Sequence, residues 1–175
     1  MIPPFAGPAL GNIMQVAWVT PDLDRSVAQF REIYRVPEFM VMDTEFEAEV
    51  FGERGQMKLR LALANVDYIQ LELIEPTGGG IDRIYRDALP RDGSHANVFH
   101  HVCVKIGGTL QDWDAYVDTL GGPHRPVAYR GFMGDDIKFC YTDERATLGM
   151  YVEHVWFSEA QEAQTVDAVP TYRTR

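Results

Sequence analysis

The chain has 175 residues, 46% of them hydrophobic and 24% charged, with a formal net charge of −10. This composition excludes a disordered or collagenous chain and fits one domain, or two small modules sharing a core. The acidic balance disfavours nucleic acid and anionic membranes as partners, and no run approaches the roughly eighteen apolar residues of a membrane helix.

The opening MIPPFAGPALGN lacks the basic start and apolar core of a signal peptide, so a cytoplasmic protein is expected. Ile13–Val19 reads as a buried strand that ends at Thr20-Pro21-Asp22, where Thr20 or Asp22 offers a helix cap. Leu23, Val27, Phe30 and Tyr34 then recur at helical spacing. Strands are expected at Phe39–Phe51, Met57–Ala64 and Tyr68–Ile74, with turns at Glu53–Gly55 and Asn65–Asp67. Residues 77–97, with three consecutive glycines and a short helix near Ile81–Ala88, read as a linker.

The order then repeats. Val98–Ile106 is a strand, Leu110–Leu120 a helix stopped by Gly121-Gly122-Pro123, and strands follow near Pro126–Tyr129, Asp136–Tyr141 and Gly149–Trp156. Two tandem βαβββ modules are therefore expected, 11–76 and 98–157, followed by a polar tail, 158–175. Cys103 and Cys140 lie in apolar runs and read as small buried hydrophobes.

Aligning the halves sets Gln15 against His101 and Glu72 against Glu153. Each half thus offers one ligand-competent residue in its first strand and one carboxylate in its last. A carboxylate inside an apolar strand must be exposed, protonated, paired with a cation or bound to a metal. Strand alternation puts Gln70 on the face of Glu72, Lys105 on that of His101 and Tyr151 on that of Glu153. The same alternation turns His100, His154, Met14, Trp18 and Trp156 away from it, and Phe99 is also expected to point away; the two histidines are expected at an outer or interface surface. Glu45, Glu47 and Glu49 read as a solvated strand face.

The motifs QVAWVTPDLD, LELIEP, FHHVCVKI and LGMYVEHV resemble the glyoxalase/bleomycin-resistance/extradiol-dioxygenase group, the vicinal oxygen chelate superfamily. That resemblance spans roughly residues 11–157. It implies an α+β fold in which the paired modules form a curved mixed sheet around a cup. It also implies one divalent ion held by Gln15, Glu72, His101 and Glu153. The Gln/Glu/His/Glu set looks like that of glyoxalase I, and LELIEP with the double histidine looks like the methylmalonyl-CoA epimerase branch. No Arg stands at Val19, Pro76 or Asn97, where glyoxalase I grips glutathione.

Three oxygen donors and one imidazole suit Zn²⁺, Ni²⁺, Co²⁺ or Mn²⁺. The expected activity is that of a metal-dependent lyase or isomerase moving a proton next to a carbonyl of a small 2-hydroxycarbonyl, 2-oxo acid or acyl-thioester substrate. Glu153 is the first choice of base and Glu72 the second, as the likeness to glyoxalase I implies. Lys105, Tyr151 and Gln70 are candidate substrate contacts, Lys105 standing equally well at the rim. The resemblance further implies a homodimer. The alternative is a non-catalytic small-molecule binder on the same scaffold.

Overall fold

The computed structural model describes residues 10–174, so most of the Pro/Gly-rich opening lies outside the described residues. The first half runs β1 (Ile13–Val19), α1 (Leu23–Tyr34), β2 (Met40–Val50), β3 (Glu53–Val66) and β4 (Ile69–Gly78). After a short α2 (Arg83–Arg86), the second half runs β5 (Val98–Lys105), α3 (Leu110–Val117), β6 (Val127–Phe132), β7 (Ile137–Asp143) and β8 (Tyr151–Phe157). The tail read as merely polar forms a helix, α4 (Glu159–Ala168), and a two-residue strand, β9 (Thr171–Tyr172).

Local chemistry accounts for the element ends. Of the two candidate caps, Asp22 starts α1, its carboxylate accepting from the Arg25 backbone N–H at 3.0 Å. Thr109 and Asp112 form a reciprocal capping box on α3. The β2–β3 turn is not at Glu53–Gly55 but at Phe51-Gly52, where both residues have positive φ (51° and 81°). A two-residue hairpin of this twist needs that conformation twice, and Gly52 adopts it without steric cost. Gly55 instead lies within β3, facing Ile81.

The strands pair in the order β2-β6-β7-β8-β5-β1-β4-β3, and β2 also pairs with β3, which closes the sheet on itself. β1 runs parallel to β4 and β5 parallel to β8, whereas β1 and β5 join the halves antiparallel. β9 takes the edge of β3 at Asn65 and Val66, beyond the point where β2 begins opposite Leu63. The fold is thus mixed α+β, with the curved sheet bent into a closed cup.

Apolar residues on the outer face meet the helices. Leu23 and Phe30 of α1 cover Ala62, Ala64 and Leu73, with Trp18 edge-on to Phe30. Trp113 and Tyr116 of α3 cover Val102, Val104, Val152 and Trp156. His154 belongs to this second layer rather than to an outer surface. It is buried beneath α3, with Nδ1 bonded to the Tyr116 hydroxyl (2.9 Å) and Nε2 to that of Thr142 (3.0 Å). The glutamates of β2 are solvated as expected, Glu45 pairing with Lys58 and Glu47 and Glu49 with Arg54.

The inner face carries Ala17, Val19, Val50, Met57, Leu59, Ile74, Tyr129 and Phe139. Gly79 packs the start of the linker against β3, where an added Cβ would lie 2.2 Å from the Gln56 carbonyl oxygen, at a φ of 96°. Gly79→Ala is therefore expected to destabilise the fold by about 3 kcal/mol, strain and clash together. Urea denaturation checks this, and an unchanged midpoint would refute it. Among the described residues no helix is long and apolar enough to cross a membrane.

Candidate metal centre and ligand cavity

Strand register decides which side chains meet inside the cup. Ala17 pairs with Glu72 on one side and with His101 on the other. The small methyl between them leaves a gap across which the carboxylate and the imidazole approach. One step along, Cys103 pairs with Glu153, bringing the second carboxylate in from β8. His101 Nε2 lies 3.5 Å from Glu72 Oε2 and 3.2 Å from Glu153 Oε2. One donor atom from each of the three buried residues falls within 4.8 Å of the others.

Two buried carboxylates facing one imidazole leave negative charge uncompensated, which costs free energy unless a cation joins them. In the metal-free chain that cation is the imidazolium. Burial alone would lower the His101 pKa, but the Glu153 and Glu72 carboxylates outweigh it and raise the group to about 9. Burial raises the Glu72 carboxyl above its ordinary range. Two oxygen donors and an imidazole nitrogen fit a divalent ion well.

The His101 nitrogen that faces the carboxylates is selected by a neighbour that strand alternation turned away. β5 carries a bulge here: Ala17 pairs with His101 and Trp18 with Phe99, leaving His100 without a partner on β1. The extra residue turns His100 back inside, where it is buried and stacked on Tyr151 at 4.9 Å. His100 Nε2 lies 2.9 Å from the Ile84 carbonyl oxygen, and its Nδ1 lies 2.9 Å from His101 Nδ1. Burial, then the charge of His101, lower the His100 pKa to about 3, so this ring is neutral.

A carbonyl only accepts, so the proton of His100 is on Nε2 and its Nδ1 is the acceptor. His101 must then donate from Nδ1, and its Nε2 faces the two glutamates as the atom available to a cation. His100→Phe keeps a ring against Tyr151 but removes the acceptor, and is expected to weaken zinc binding about 10–100-fold. His100→Gln, able both to accept and to donate, is expected to restore much of it. Competition against a chromophoric chelator measures both, and unchanged affinity in His100→Phe would refute the role.

Gln15 lies in the wall of the same cavity. Its Nε2 donates to Gln70 Oε1 at 2.7 Å, and Gln70 Nε2 donates to Asn65 Oδ1 at 3.2 Å. With the nitrogen so engaged, the oxygen is the end of the Gln15 amide suited to a cation. Gln70 thus orients Gln15. Lys105 stands at the rim, paired with Glu162 of α4. Tyr151 opens instead on a separate cavity of about 330 Å³, shared with Arg83, Arg145 and the outer side of His100.

Above the two carboxylates lies a cavity of about 340 Å³ walled by Met40, Met42, Phe46, Leu61, Phe139 and Phe157, among others. Met14, expected on the far face, also lines it, because β1 is irregular between Ile13 and Gln15. Tyrosines surround the floor: Tyr141 lies with its hydroxyl 3.3 Å from His101 Nε2 and 2.9 Å from the Tyr85 hydroxyl. Sequence reading passed over both. Tyr141 is register partner to Glu153, so alternation along β7 points to it, whereas Tyr85 arrives from the linker helix with no periodic signal.

No family model matches the chain, and no curated protein matches it in sequence. Solved structures do match. A methylmalonyl-CoA epimerase in complex with methylmalonyl-CoA and NH4+ aligns with a TM-score of 0.52 at 20% identity, covering 86% of this chain and 96% of that one. Methylmalonyl-CoA epimerase from Mycobacterium tuberculosis aligns with a TM-score of 0.52 at 14% identity, covering 87% and 91%. A hypothetical protein from Bacillus halodurans C-125 aligns with a TM-score of 0.50 at 11% identity, covering 85% and 95%. At such identities the likeness is one of fold: the chain shares the curved-sheet α+β fold of these epimerases, the architecture that its motifs implied.

Proposed function

We propose that the chain is a divalent-metal-dependent isomerase or lyase that moves a proton at the carbon next to a carbonyl. The observation that carries this reading is the convergence of Glu72, His101 and Glu153 on the cup floor. Glu72, His101 and Glu153 would hold the ion, and the Gln15 oxygen would serve as a further ligand. When bound, such an ion acts as a Lewis acid that stabilises negative charge developing on adjacent oxygens of the substrate.

The protein residues do the rest. Glu153 takes the proton from carbon at a carboxylate oxygen, and Glu72 returns one. They approach His101 Nε2 from β8 and β4, so the two carboxylates reach the floor from the last strand of each half. The Tyr141 hydroxyl stands ready to donate to a developing oxyanion, and the apolar walls exclude water. Gln70 fixes the Gln15 amide. Fold likeness to epimerases that act on an acyl-CoA supports the reaction class; it does not choose among 2-hydroxycarbonyl, 2-oxo acid and thioester substrates.

Elemental analysis of chain purified without added metal or chelator tests the reading. The expected result is about one divalent ion per chain, lost in Glu72→Ala/Glu153→Ala. Absence of metal from the parent chain even after soaking in Zn²⁺, Mn²⁺, Co²⁺ and Ni²⁺ would overturn it, leaving a non-catalytic binder on this scaffold.

A further inference from the structure

The helix after the second module has an unusual setting. In α4, Gln161, Gln164, Thr165 and Ala168 recur at the i, i+3, i+4, i+7 spacing of one helical face, and all four line the ligand cavity. None of the described α4 side chains is buried. Ten residues of helix are marginal in water without a packed face, so other contacts must hold this one. They are found at its ends and on its flank. Ser158 caps the N-terminus and donates to Asp136 at 2.7 Å, and Glu162 pairs with Lys105. Beyond the C-terminus, Val169 is buried and β9 pairs with β3. The helix is strapped at both ends over a space that it does not fill.

What lies beneath it is graded. The polar groups Glu72, Glu153, Gln15 and Gln70 are at the floor, and the wall between floor and helix is built from Met, Leu and Phe side chains. Among the described residues no Lys or Arg lines this cavity. Four of its lining residues are methionines (Met14, Met40, Met42 and Met133), whose flexible thioethers conform to apolar bodies of irregular shape. An anionic tail would meet no cation inside, whereas an uncharged apolar body would displace water from the wall and pack under α4.

We propose that α4 is the roof of the binding site. Its ligand is a compact molecule with an oxygen-bearing polar head at the floor and an uncharged, apolar body enclosed beneath the helix. This rests on the reading of the floor as a metal centre and deepens it by naming the substrate class. Ligand and roof then order together, because the cavity-facing side of α4 gains a packed partner only when that body is in place.

The test uses the zinc-loaded full chain and two probes sharing one chelating head, acetohydroxamate and octanohydroxamate. Calorimetry is expected to show the longer probe binding at least about tenfold tighter, as removal of a few methylenes from water requires. Amide exchange across Glu159–Ala168 is expected to slow with octanohydroxamate and to stay unchanged with acetohydroxamate. Gln161→Trp, which fills the space from the roof, is expected to abolish the advantage of the longer probe. Equal affinity for the two probes, or tighter binding of the longer one with α4 exchange unaltered, would overturn the roof. Failure of the chain to take up zinc, or of zinc-loaded chain to bind either hydroxamate, would instead overturn the metal centre, and the roof proposal with it.

Discussion

Replacing Glu153 by Gln lowers turnover about 10²–10⁴-fold while the divalent ion stays bound. The amide is nearly isosteric with the carboxylate and keeps an oxygen that can ligate. It cannot accept a proton from carbon. Loss of chemistry with retention of metal therefore separates the base role of Glu153 from its ligand role. Glu72→Gln is expected to leave a different residue of activity. With only Glu153 able to exchange protons, an isomerase still washes deuterium from solvent into its substrate, yet no longer forms the opposite configuration. Mass spectrometry of recovered substrate, set beside a chiral separation of products, reads both variants. Near-normal turnover in Glu153→Gln, on a substrate the parent chain processes, would remove Glu153 from the mechanism.

Much of this arrangement was legible because the chain repeats itself. Equivalent positions in the two halves put a ligand-competent residue in β1 and β5 and a carboxylate in β4 and β8, and alternation gave their common face. The parallel pairs β1–β4 and β5–β8, joined antiparallel at β1–β5, bring the four positions to one floor. A pattern of period 2 holds only while the strand is regular. At His100 the bulge adds one residue, and alternation past that point assigns the wrong face. The same failure hid Met14. His154 obeys alternation, yet it is not at the outer or interface surface expected of it, because polarity alone does not reveal that Tyr116 and Thr142 satisfy both ring nitrogens under α3.

Two other features were illegible for different reasons. The hairpin at Phe51-Gly52 depends on a bulky residue adopting positive φ, which composition disfavours, and Arg83 stacked 5.4 Å over the Phe51 ring accompanies it. α4 has no apolar stripe to announce it, since its inner side faces a cavity instead of a core. The irregularities at His100 and α4 cluster at the candidate site, where local rules yield to the demands of a ligand.

The same three residues dictate how the metal-free chain responds to pH. Its stability is expected to fall as pH rises from about 6.5 toward about 9, and its apparent zinc affinity to rise over that interval. The sign follows from His101, whose folded pKa of about 9 exceeds its ordinary 6.5 because two carboxylates outweigh the burial that opposes them. A raised pKa contributes stability that is whole below the unfolded value and is lost as pH passes through the folded one. That rise corresponds to about 3 kcal/mol. Glu72, raised by burial, carries the same sign from its own lower starting point.

Zinc needs the Nε2 lone pair and so must displace the proton held there, whereas Nδ1 keeps its proton through the bond to His100. Each pH unit below about 9 then weakens apparent affinity about tenfold. Denaturation midpoints of chelator-stripped chain at several pH values check the first half. Zinc titrations in two buffers of different ionisation enthalpy check the second by counting the released proton. Flat stability and proton-free zinc uptake would mean that His101 is neutral before metal arrives, and that the carboxylates beside it are compensated by something other than its charge.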